Sequence, residues 1–421
     1  MCEGSRMLRP ASIGKLPRNF RGLAMGGVTM KFGCKRAMRS AAVIVVLSLL
    51  GITGARGQAA KTGAGDKPQL SEEAFKNVQV LRGIPVNEFM GTMGFFAASL
   101  GLNCTDCHTQ ESAGNWAKYA DDTPLKQTAR RMVIMMNAIN RADFGATRMV
   151  TCYTCHRGVQ RPDMIPSLQE QYAAPPPADP DQIQVLPNTP PEKPGAAEQI
   201  LDKYIQAIGG EQKLSKITSF VAKGTYTGFD TDFQKVPIDI YAKAPAQRTQ
   251  TVHVPGGENT TTYDGREGWV AASDRPVPFI LMTGGELDGA RLDANLAFPA
   301  MLKQDMTKWH VGFPPLTIDD RAVVVVEGTT PDGSNIKLYF DKQSGLLVRQ
   351  VRYLDTAVGV IPMHIEYSDY RDVAGIKMPF KWTFTWTDGQ STTELSEVQP
   401  NVAVPAAKFA KPAAAAGAAP R

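Results

Sequence analysis

The chain has 421 residues, of which 43% are hydrophobic and 21% charged, so it is long enough for two or three domains with a sizeable core. Its formal net charge is +5, but the first 59 residues hold ten lysines and arginines against one acidic residue, which leaves −4 for the remainder. This distribution excludes a generally basic protein of the kind that binds nucleic acid, and we predict no nucleic-acid partner.

A short apolar run covers residues 41–52 and follows a strongly basic segment. Small residues come next, with Gly57 and Ala59 at the −3 and −1 positions of a cleavage site, as in a secretory signal peptide. The run is shorter than the roughly 20 apolar residues that span a bilayer. We therefore predict a signal peptide over residues 1–59 and a periplasmic product, with an uncleaved, membrane-associated form as the alternative.

The next region, residues 60–168, is predicted to be a small, mostly helical domain. One helix is expected over 71–81 and a second over 86–100, where Gly101 ends it. A third begins at Thr123 as N-cap with Pro124 in its first turn and ends near residue 142. The apolar faces of the second and third helices contain Phe89, Met93, Phe96 and Leu100, and Leu125, Ala129, Met132, Val133 and Met136.

Two Cys-x-x-Cys-His motifs follow the second and third of these helices and begin 48 residues apart. Such a motif suits covalent haem attachment, because its two thiols add to the two vinyl groups and its histidine ligates the iron. The motifs therefore predict two covalently bound c-type haems. The attachment residues are Cys104, Cys107, Cys152 and Cys155, and the axial histidines are His108 and His156.

Other readings of these cysteines remain open. Paired Cys-x-x-Cys motifs are also typical of a four-cysteine zinc site, although that site gives neither histidine a role. A single motif is compatible with a thioredoxin-like pair. The two other cysteines of the chain, Cys2 and Cys34, precede the predicted cleavage site, so we expect no disulfide framework.

The sixth iron ligand is less clearly marked in the sequence. Haem iron with histidine on one side often takes a methionine thioether on the other, and both preceding helices carry methionine. Spacing alone leaves Met93 and Met132 in competition with Met90, Met135 and Met136, and a methionine in a helix is usually core filler.

The region around the motifs resembles the cytochrome subunit of photosynthetic reaction centres. The resemblance is carried by residues 77–81, Phe89 and Met93 before the first motif, by residues 129–140, and by residues 151–158 at the second motif. In that family a helix before each haem motif supplies the methionine ligand, which implies Met93 and Met132. Family subunits typically carry four haems, whereas this chain has two motifs. The resemblance implies electron transfer to redox partner proteins, such as a membrane-bound reaction centre or a respiratory complex.

Four arginines lie close to the haem elements in sequence, namely Arg130, Arg131, Arg157 and Arg161. The planar guanidinium suits carboxylate geometry, so these arginines are candidates to pair with haem propionates. The alternative for each is a solvated surface position.

A proline-rich stretch over residues 169–194 is predicted to be an interdomain linker. Beyond it, residues 195–408 contain a helix over 196–208, a helix-like segment over 290–303, and repeated strand-like runs separated by turn signals. The runs cover residues 217–227, 236–242, 249–254, 268–272, 322–328, 336–340, 346–353, 363–367 and 380–386. Residues 409–421 form an Ala/Pro-rich tail that is expected to lack structure.

The predicted fold class is therefore α+β and multidomain: a helical di-haem domain followed by a curved antiparallel sheet, like a half-barrel, with two helices. The segments 263–269 and 339–347 give this second domain a similarity to lipoprotein-carrier half-barrels, which implies a lipid or other hydrophobic ligand. His253, His310 and His364 lie outside any metal-binding spacing and are expected to be structural.

Three classes of function fit these features. An electron-transfer cytochrome has both irons six-coordinate, whereas a peroxidase-like di-haem enzyme needs an open or displaceable sixth site. A third class makes the sheet domain primary, binding a lipid or a partner, with the haems as attached redox modules. A methionine-bearing helix before each motif favours the first class, and no catalytic residue is predicted.

Overall fold

The computed structural model describes residues 67–176, 178–183, 193–273, 275–304, 308–312, 316–330 and 333–412. The predicted signal peptide and most of the predicted tail lie outside these residues. The described residues all belong to one compact unit, Ala64–Arg421. Within them, no helix combines the length and the apolar character needed to cross a membrane. The domain boundaries drawn from the sequence remain predictions.

The N-terminal region is helical, as predicted. Its helices are α1 (Ser71–Ala74), α2 (Val86–Leu100), α3 (Cys104–Cys107), α4 (Pro124–Asp143), α5 (Cys152–His156) and α6 (Leu168–Tyr172). Gly101 closes α2 in the left-handed conformation with φ 63°, and the Thr123 hydroxyl caps α4 by accepting from Lys126 N. The predicted bounds of α2 and α4 are thus close to those observed.

Helix α1 is shorter than the predicted helix over 71–81. Phe75 is already extended, and Asn77 has φ 60°, a conformation that a right-handed helix does not contain. The Asn77 side chain donates from Nδ2 to the carbonyl of Ala120 at 2.7 Å and to Asp122 at 2.9 Å. These long-range hydrogen bonds outweigh the local helical preference that the sequence pattern suggested.

The C-terminal region is one open antiparallel sheet of 14 strands. The strands are β1 (Ser219–Gly228), β2 (Val236–Lys243), β3 (Gln247–Val254), β4 (Gly257–Tyr263), β5 (Gly268–Ala272), β6 (Phe279–Leu281), β7 (Lys308–Val311), β8 (Leu316–Ile318), β9 (Arg321–Thr329), β10 (Asn335–Asp341), β11 (Leu347–Asp355), β12 (Val360–Val373), β13 (Ile376–Trp386) and β14 (Gly389–Pro400). Their order is β6-β5-β4-β3-β2-β1-β14-β13-β12-β11-β10-β9-β7, with β8 also on β9. All nine predicted runs are strands, which confirms the antiparallel part of the predicted fold class.

Five strands were not predicted: β4, β6, β7, β8 and β14. Strand β14 is long but rich in threonine, serine and glutamate, and its pattern therefore has little apolar alternation. This strand forms because it pairs with β1 on one side and with β13 on the other. Thr393 of β14, for example, lies between Tyr226 of β1 and Trp382 of β13. The first and last strands of the sheet are thus neighbours.

Three helices accompany the sheet, namely α7 (Ala196–Ala207), α8 (Glu211–Leu214) and α9 (Gly284–Ala297). The predicted insert over 290–303 corresponds to α9, which begins earlier, and to a 3-10 helix over Pro299–Gln304. Leu201 of α7 and Leu292 of α9 are fully buried in one core with Ile238, Leu338 and Leu395 of the sheet.

The N-terminal helices share a second core with the sheet, which we call the junction core. Phe95 of α2 and Val133 of α4 are buried there. They pack with Leu354 of β11, Val358 of the turn that follows it and Ile361 of β12. Arg148 donates to the carbonyls of Thr356 and Gly359 in that turn. The haem-motif region is therefore packed directly onto the sheet.

Part of the predicted linker also contacts the sheet. Asp181 pairs with Arg349 at 3.2 Å and with His364 at 2.6 Å, while Tyr339 and Lys337 donate to the carbonyls of Pro180 and Gln182. Lys337 and Tyr339 alternate with buried apolar residues of β10, so this segment lies on the opposite face from α7 and α9.

Candidate functional site

The first Cys-x-x-Cys-His motif forms the single turn of α3, with His108 directly after it. Asn103 caps this turn, because its Oδ1 accepts from Asp106 N at 3.1 Å and Asp106 Oδ2 accepts from Asn103 N at 2.8 Å. This reciprocal capping stabilises a helical turn too short to persist alone. It places Cys104 and Cys107 one helical turn apart, on the same side of the backbone.

His108 is held in one orientation by the chain that follows. Its Nδ1 lies 3.0 Å from the Tyr119 carbonyl, and its ring centroid is 4.7 Å from that of Tyr119. A carbonyl oxygen only accepts, so Nδ1 carries the proton and Nε2 presents its lone pair. Burial, together with the nearby charge of Lys126, lowers the pKa of His108, which keeps the imidazole in the neutral form that binds metals.

The second motif repeats this design with different residues. Thr151 and Thr154 cap α5 reciprocally, with Thr151 N donating to Thr154 Oγ1 at 3.0 Å and Thr154 N donating to Thr151 Oγ1 at 3.3 Å. His156 Nδ1 lies 3.1 Å from the Val159 carbonyl, which again leaves Nε2 with the lone pair. Arg157 ends the helix at φ 50° and turns the chain so that this carbonyl reaches the ring.

The four cysteines are all thiols in the structure. Burial raises the pKa of the thiols of Cys104 and Cys107, and it raises the pKa of Cys152 to about 11. The thiols of these three cysteines are therefore not activated as thiolates by the protein fold, in contrast to redox-active or nucleophilic cysteines. The thioredoxin-like alternative loses support from this observation.

The zinc alternative is not supported either. Across the described ranges, His, Cys, Asp and Glu side chains nowhere form a group of three or more that is able to hold a metal ion. The two cysteine pairs thus do not converge on one tetrahedral site, which a four-cysteine zinc centre requires.

Two residues to which the sequence analysis gave no role in the motifs hold the motifs in place. The Thr123 hydroxyl donates to the Cys107 carbonyl at 2.6 Å as well as capping α4, so it ties the end of the first motif to the start of that helix. Asn140, which is 5% exposed, accepts from the backbone of Met149 and Val150 and donates to the Val150 carbonyl. The sequence identifies Thr123 only as a helix cap, and Asn140, which lies within α4, has no local signal.

The two motif regions are in direct contact. Helix α2 packs against α5, and Gly158 N donates to the Ser99 carbonyl at 2.9 Å. A Cβ at Gly101 would lie 2.2 Å from the Gly158 carbonyl oxygen, so this close approach requires glycine as well as a left-handed backbone. The helix before the first motif thus also supports the second motif.

The candidate methionines differ in their surroundings. Met93 is half-buried and packs against the junction core, whereas Met90 is 49% exposed. On α4, Met136 is 4% exposed and belongs to the core, while Met132 and Met135 are 36% and 48% exposed. The structure thus assigns Met136 to packing, and exposure does not discriminate between Met132 and Met135.

The candidate arginines also differ in their hydrogen bonds and exposure. Arg130 donates to Asp122 at 2.7 Å and to the Asn77 carbonyl at 3.4 Å, so it joins the segments on either side of the first motif. Arg131 donates to Thr128. Arg157 and Arg161 are exposed or nearly so beside the second motif, where guanidinium groups suit the carboxylates of a propionate.

The residues present fit covalently attached haem. Each motif supplies two unbonded thiols and an imidazole whose Nδ1 is held by a backbone carbonyl. Such an outer hydrogen bond to Nδ1 is typical of metal-ligating histidines. The two motifs together supply attachment residues for two haem groups.

Part of the chain, including both motifs, matches a known family. Residues 51–206 match the family described as the photosynthetic reaction centre cytochrome C subunit. The subunit from Thermochromatium tepidum is 41% identical over 93 residues, which are 21% of this chain and 22% of that protein. The subunit from Rubrivivax gelatinosus (strain NBRC 100245 / IL144) is 36% identical over 99 residues, 23% of this chain and 25% of that protein. The chain thus spans about a quarter of these relatives or less.

Solved structures give matches to about half of the chain. A LolA superfamily protein from Nitrosomonas europaea is 17% identical, with 51% of this chain and 97% of that chain covered and a TM-score of 0.35. An outer membrane lipoprotein-sorting protein domain from Vibrio parahaemolyticus is 9% identical, with 50% and 94% covered and a TM-score of 0.34.

Proposed function

We propose that this protein is an exported c-type cytochrome that binds two haems covalently and transfers electrons between partner proteins. The observation that carries the proposal is the paired design of the motifs: two capped Cys-x-x-Cys turns, each followed by a histidine whose Nδ1 donates to a backbone carbonyl. The match of residues 51–206 to the reaction-centre cytochrome family supports it. Its partners are redox proteins, of which a membrane-bound reaction centre is one candidate.

The residues of the chain have separate roles in this proposal. Cys104, Cys107, Cys152 and Cys155 attach the haems, and His108 and His156 ligate the irons through Nε2. When bound, haem iron supplies one-electron chemistry by cycling between its ferric and ferrous states. The backbone carbonyls of Tyr119 and Val159 fix the two imidazoles, so that little rearrangement accompanies each electron transfer.

The count of covalent haems tests the proposal. The protein, produced with its leader in a host that matures c-type cytochromes, should show two haem additions in its intact mass, and acidified acetone should not extract them. Replacing both cysteines of one motif by alanine should remove one addition. A single addition in the unmodified protein, or stoichiometric zinc instead of haem, would contradict the proposal. N-terminal sequencing of the same sample tests export, because cleavage is expected near Ala59.

A further inference from the structure

The turn between β13 and β14 reaches the helix that precedes the first motif. A Cβ placed at Gly94 of α2 would lie 3.1 Å from Asp388 Oδ1 and 3.1 Å from Thr387 Oγ1. Both distances are shorter than ordinary van der Waals contact, so the absence of a side chain at Gly94 is what lets the turn approach. Gly94 directly follows Met93, the predicted ligand of the first iron.

Aromatic side chains at the end of β13 fix this turn against the helix. Phe384 and Trp386 pack against the junction core that Met93 also contacts, and their ring centroids are 5.1 Å apart. A Cβ at Gly389 would lie 2.4 Å from the Trp386 ring, so the indole lies across the turn. Trp386 also hydrogen-bonds the Asp388 carboxylate.

The Asp388 carboxylate lies near the first attachment cysteine. Burial is the main cause of the raised pKa of Cys104, and the charge of Asp388 is the second cause. Burial likewise raises the pKa of Asp388, although its own backbone N–H and the Trp386 side chain oppose that change. One acidic side chain of the sheet domain is therefore close both to Cys104 and to the turn of α2 that carries Met93.

We propose that the β13–β14 turn, residues 386–389, is a wall of the first haem site, and that Asp388 is a positioning residue whose negative charge lowers the reduction potential of that haem. The inference rests on the proposed function. A carboxylate stabilises the ferric state more than the ferrous state because the ferric centre carries one more positive charge. The interaction is strengthened where protein and haem exclude water. The sheet domain then contributes directly to the redox properties of the N-terminal motif region.

Potentiometric titration of the full-length holoprotein tests this inference. Asp388→Asn should make the first haem easier to reduce, so that its ferrous-to-ferric ratio rises several-fold at the ambient potential where the unmodified haem is half reduced. The second haem should not change. Met93→Ala, which alters only the first iron, identifies the component of the titration that belongs to that haem.

Matched variants separate charge from packing. Asp388→Glu keeps the charge and should restore a low potential, while Asp388→Ser is a second neutral residue that is common in turns and should behave like the asparagine variant. Glu397→Gln removes a carboxylate on β14 that lies nine residues after Asp388, roughly 30 Å away at the usual strand rise, and should leave both potentials unchanged.

The possible outcomes separate a failure of the inference on Asp388 from a failure of the proposed function. Two bound haems whose potentials do not respond to Asp388→Asn or Asp388→Ser would overturn this inference and leave the proposed function standing. An equal response to Glu397→Gln would also overturn it, because the effect would then be one of overall charge. A purified chain without covalent haem would overturn both.

Discussion

The two motif histidines show what single residues contribute and how far local sequence identifies it. The Val159 carbonyl that orients His156 is three residues away in sequence, whereas the Tyr119 carbonyl that orients His108 is eleven residues away. The motif itself predicts both ligands. The contact between His108 and the Tyr119 carbonyl depends on the path of the loop after His108. Lys126 also donates to this carbonyl, at 2.8 Å, and no local pattern specifies the path of the loop.

Methionine ligation is the prediction on which the assignment as an electron carrier depends. Replacing Met93 or Met132 by alanine should open the sixth position of one iron, because the thioether is removed and alanine has no ligand atom. That haem should then bind carbon monoxide when reduced and have a lower potential, since a thioether favours ferrous iron. Visible spectra with and without carbon monoxide measure the first effect, and redox titration measures the second.

Three other methionines are the controls for this experiment. Met136→Ala should cost about 2–5 kcal/mol of folding stability, because a buried side chain is removed from the core, but both irons should stay closed to carbon monoxide. Met90→Ala and Met135→Ala, at exposed positions, should change stability less and ligation not at all. Binding of carbon monoxide by the unmodified ferrous protein would instead favour a di-haem enzyme.

At the scale of elements, periodicity predicted those whose faces are plainly apolar. Helices α2 and α4 and nine strands have this property. Helix α1 ends early because Asn77 takes a left-handed conformation to reach Ala120 and Asp122. Strand β14 was missed because Ser391 and Thr393, which are polar, occupy buried positions on it. In each case a contact with a distant part of the chain overrides the local preference.

Helix α9 is attached to the sheet by a partly buried ion pair that offers a stability test. Asp293 accepts from Arg352 at 3.0 Å and from Gln350 at 2.8 Å, and the Arg352 side chain is 12% exposed. Asp293→Ala should destabilise the protein by about 1–3 kcal/mol, because it leaves a largely buried guanidinium without its carboxylate partner. Denaturant unfolding followed by circular dichroism measures the change.

A second aspartate–cation pair on a helix provides the comparison. Asp202 of α7 pairs with Lys303, with side-chain exposures of 59% and 37%. Asp202→Ala should change stability by about 0–1 kcal/mol, because exposed pairs contribute little. Equal losses in the two variants would show that burial of Arg352 does not govern the contribution of its ion pair.

For the whole molecule, the junction core makes the motif region and the sheet one structure. Phe95 lies against Gly359, where a Cβ would be 2.2 Å from its ring, and Arg148 binds the carbonyls of the same turn. The sequence predicted a linker between two separate domains, and no periodic pattern could reveal that residues near 95 and 359 meet. The chemistry of the site was readable from two local motifs, whereas its walls come from distant residues such as Asp388.

This junction predicts cooperative unfolding. During thermal denaturation, loss of haem–methionine ligation in the visible spectrum and loss of sheet in the far-ultraviolet circular dichroism should have the same midpoint, because the two parts share the junction core. Gly359→Ala should lower both midpoints together by displacing Phe95, whereas Gly114→Ala, at a site with no atom within 4 Å of the added carbon, should not. Two well-separated transitions in the unmodified protein would contradict this expectation.

The pairing of the first and last strands also sets an order of events during biosynthesis. Strand β1 has β14 as one neighbour, with Gly228 opposite Ser391. These two strands therefore cannot pair until almost the entire chain has been synthesised. Both Cys-x-x-Cys-His turns emerge long before Leu354, Gly359 and Trp386, the residues that later cover α2. If the proposed function holds, an enzyme that joins haem to these cysteines has an interval in which α2 is still uncovered, and the residues of the sheet pack onto this helix afterwards.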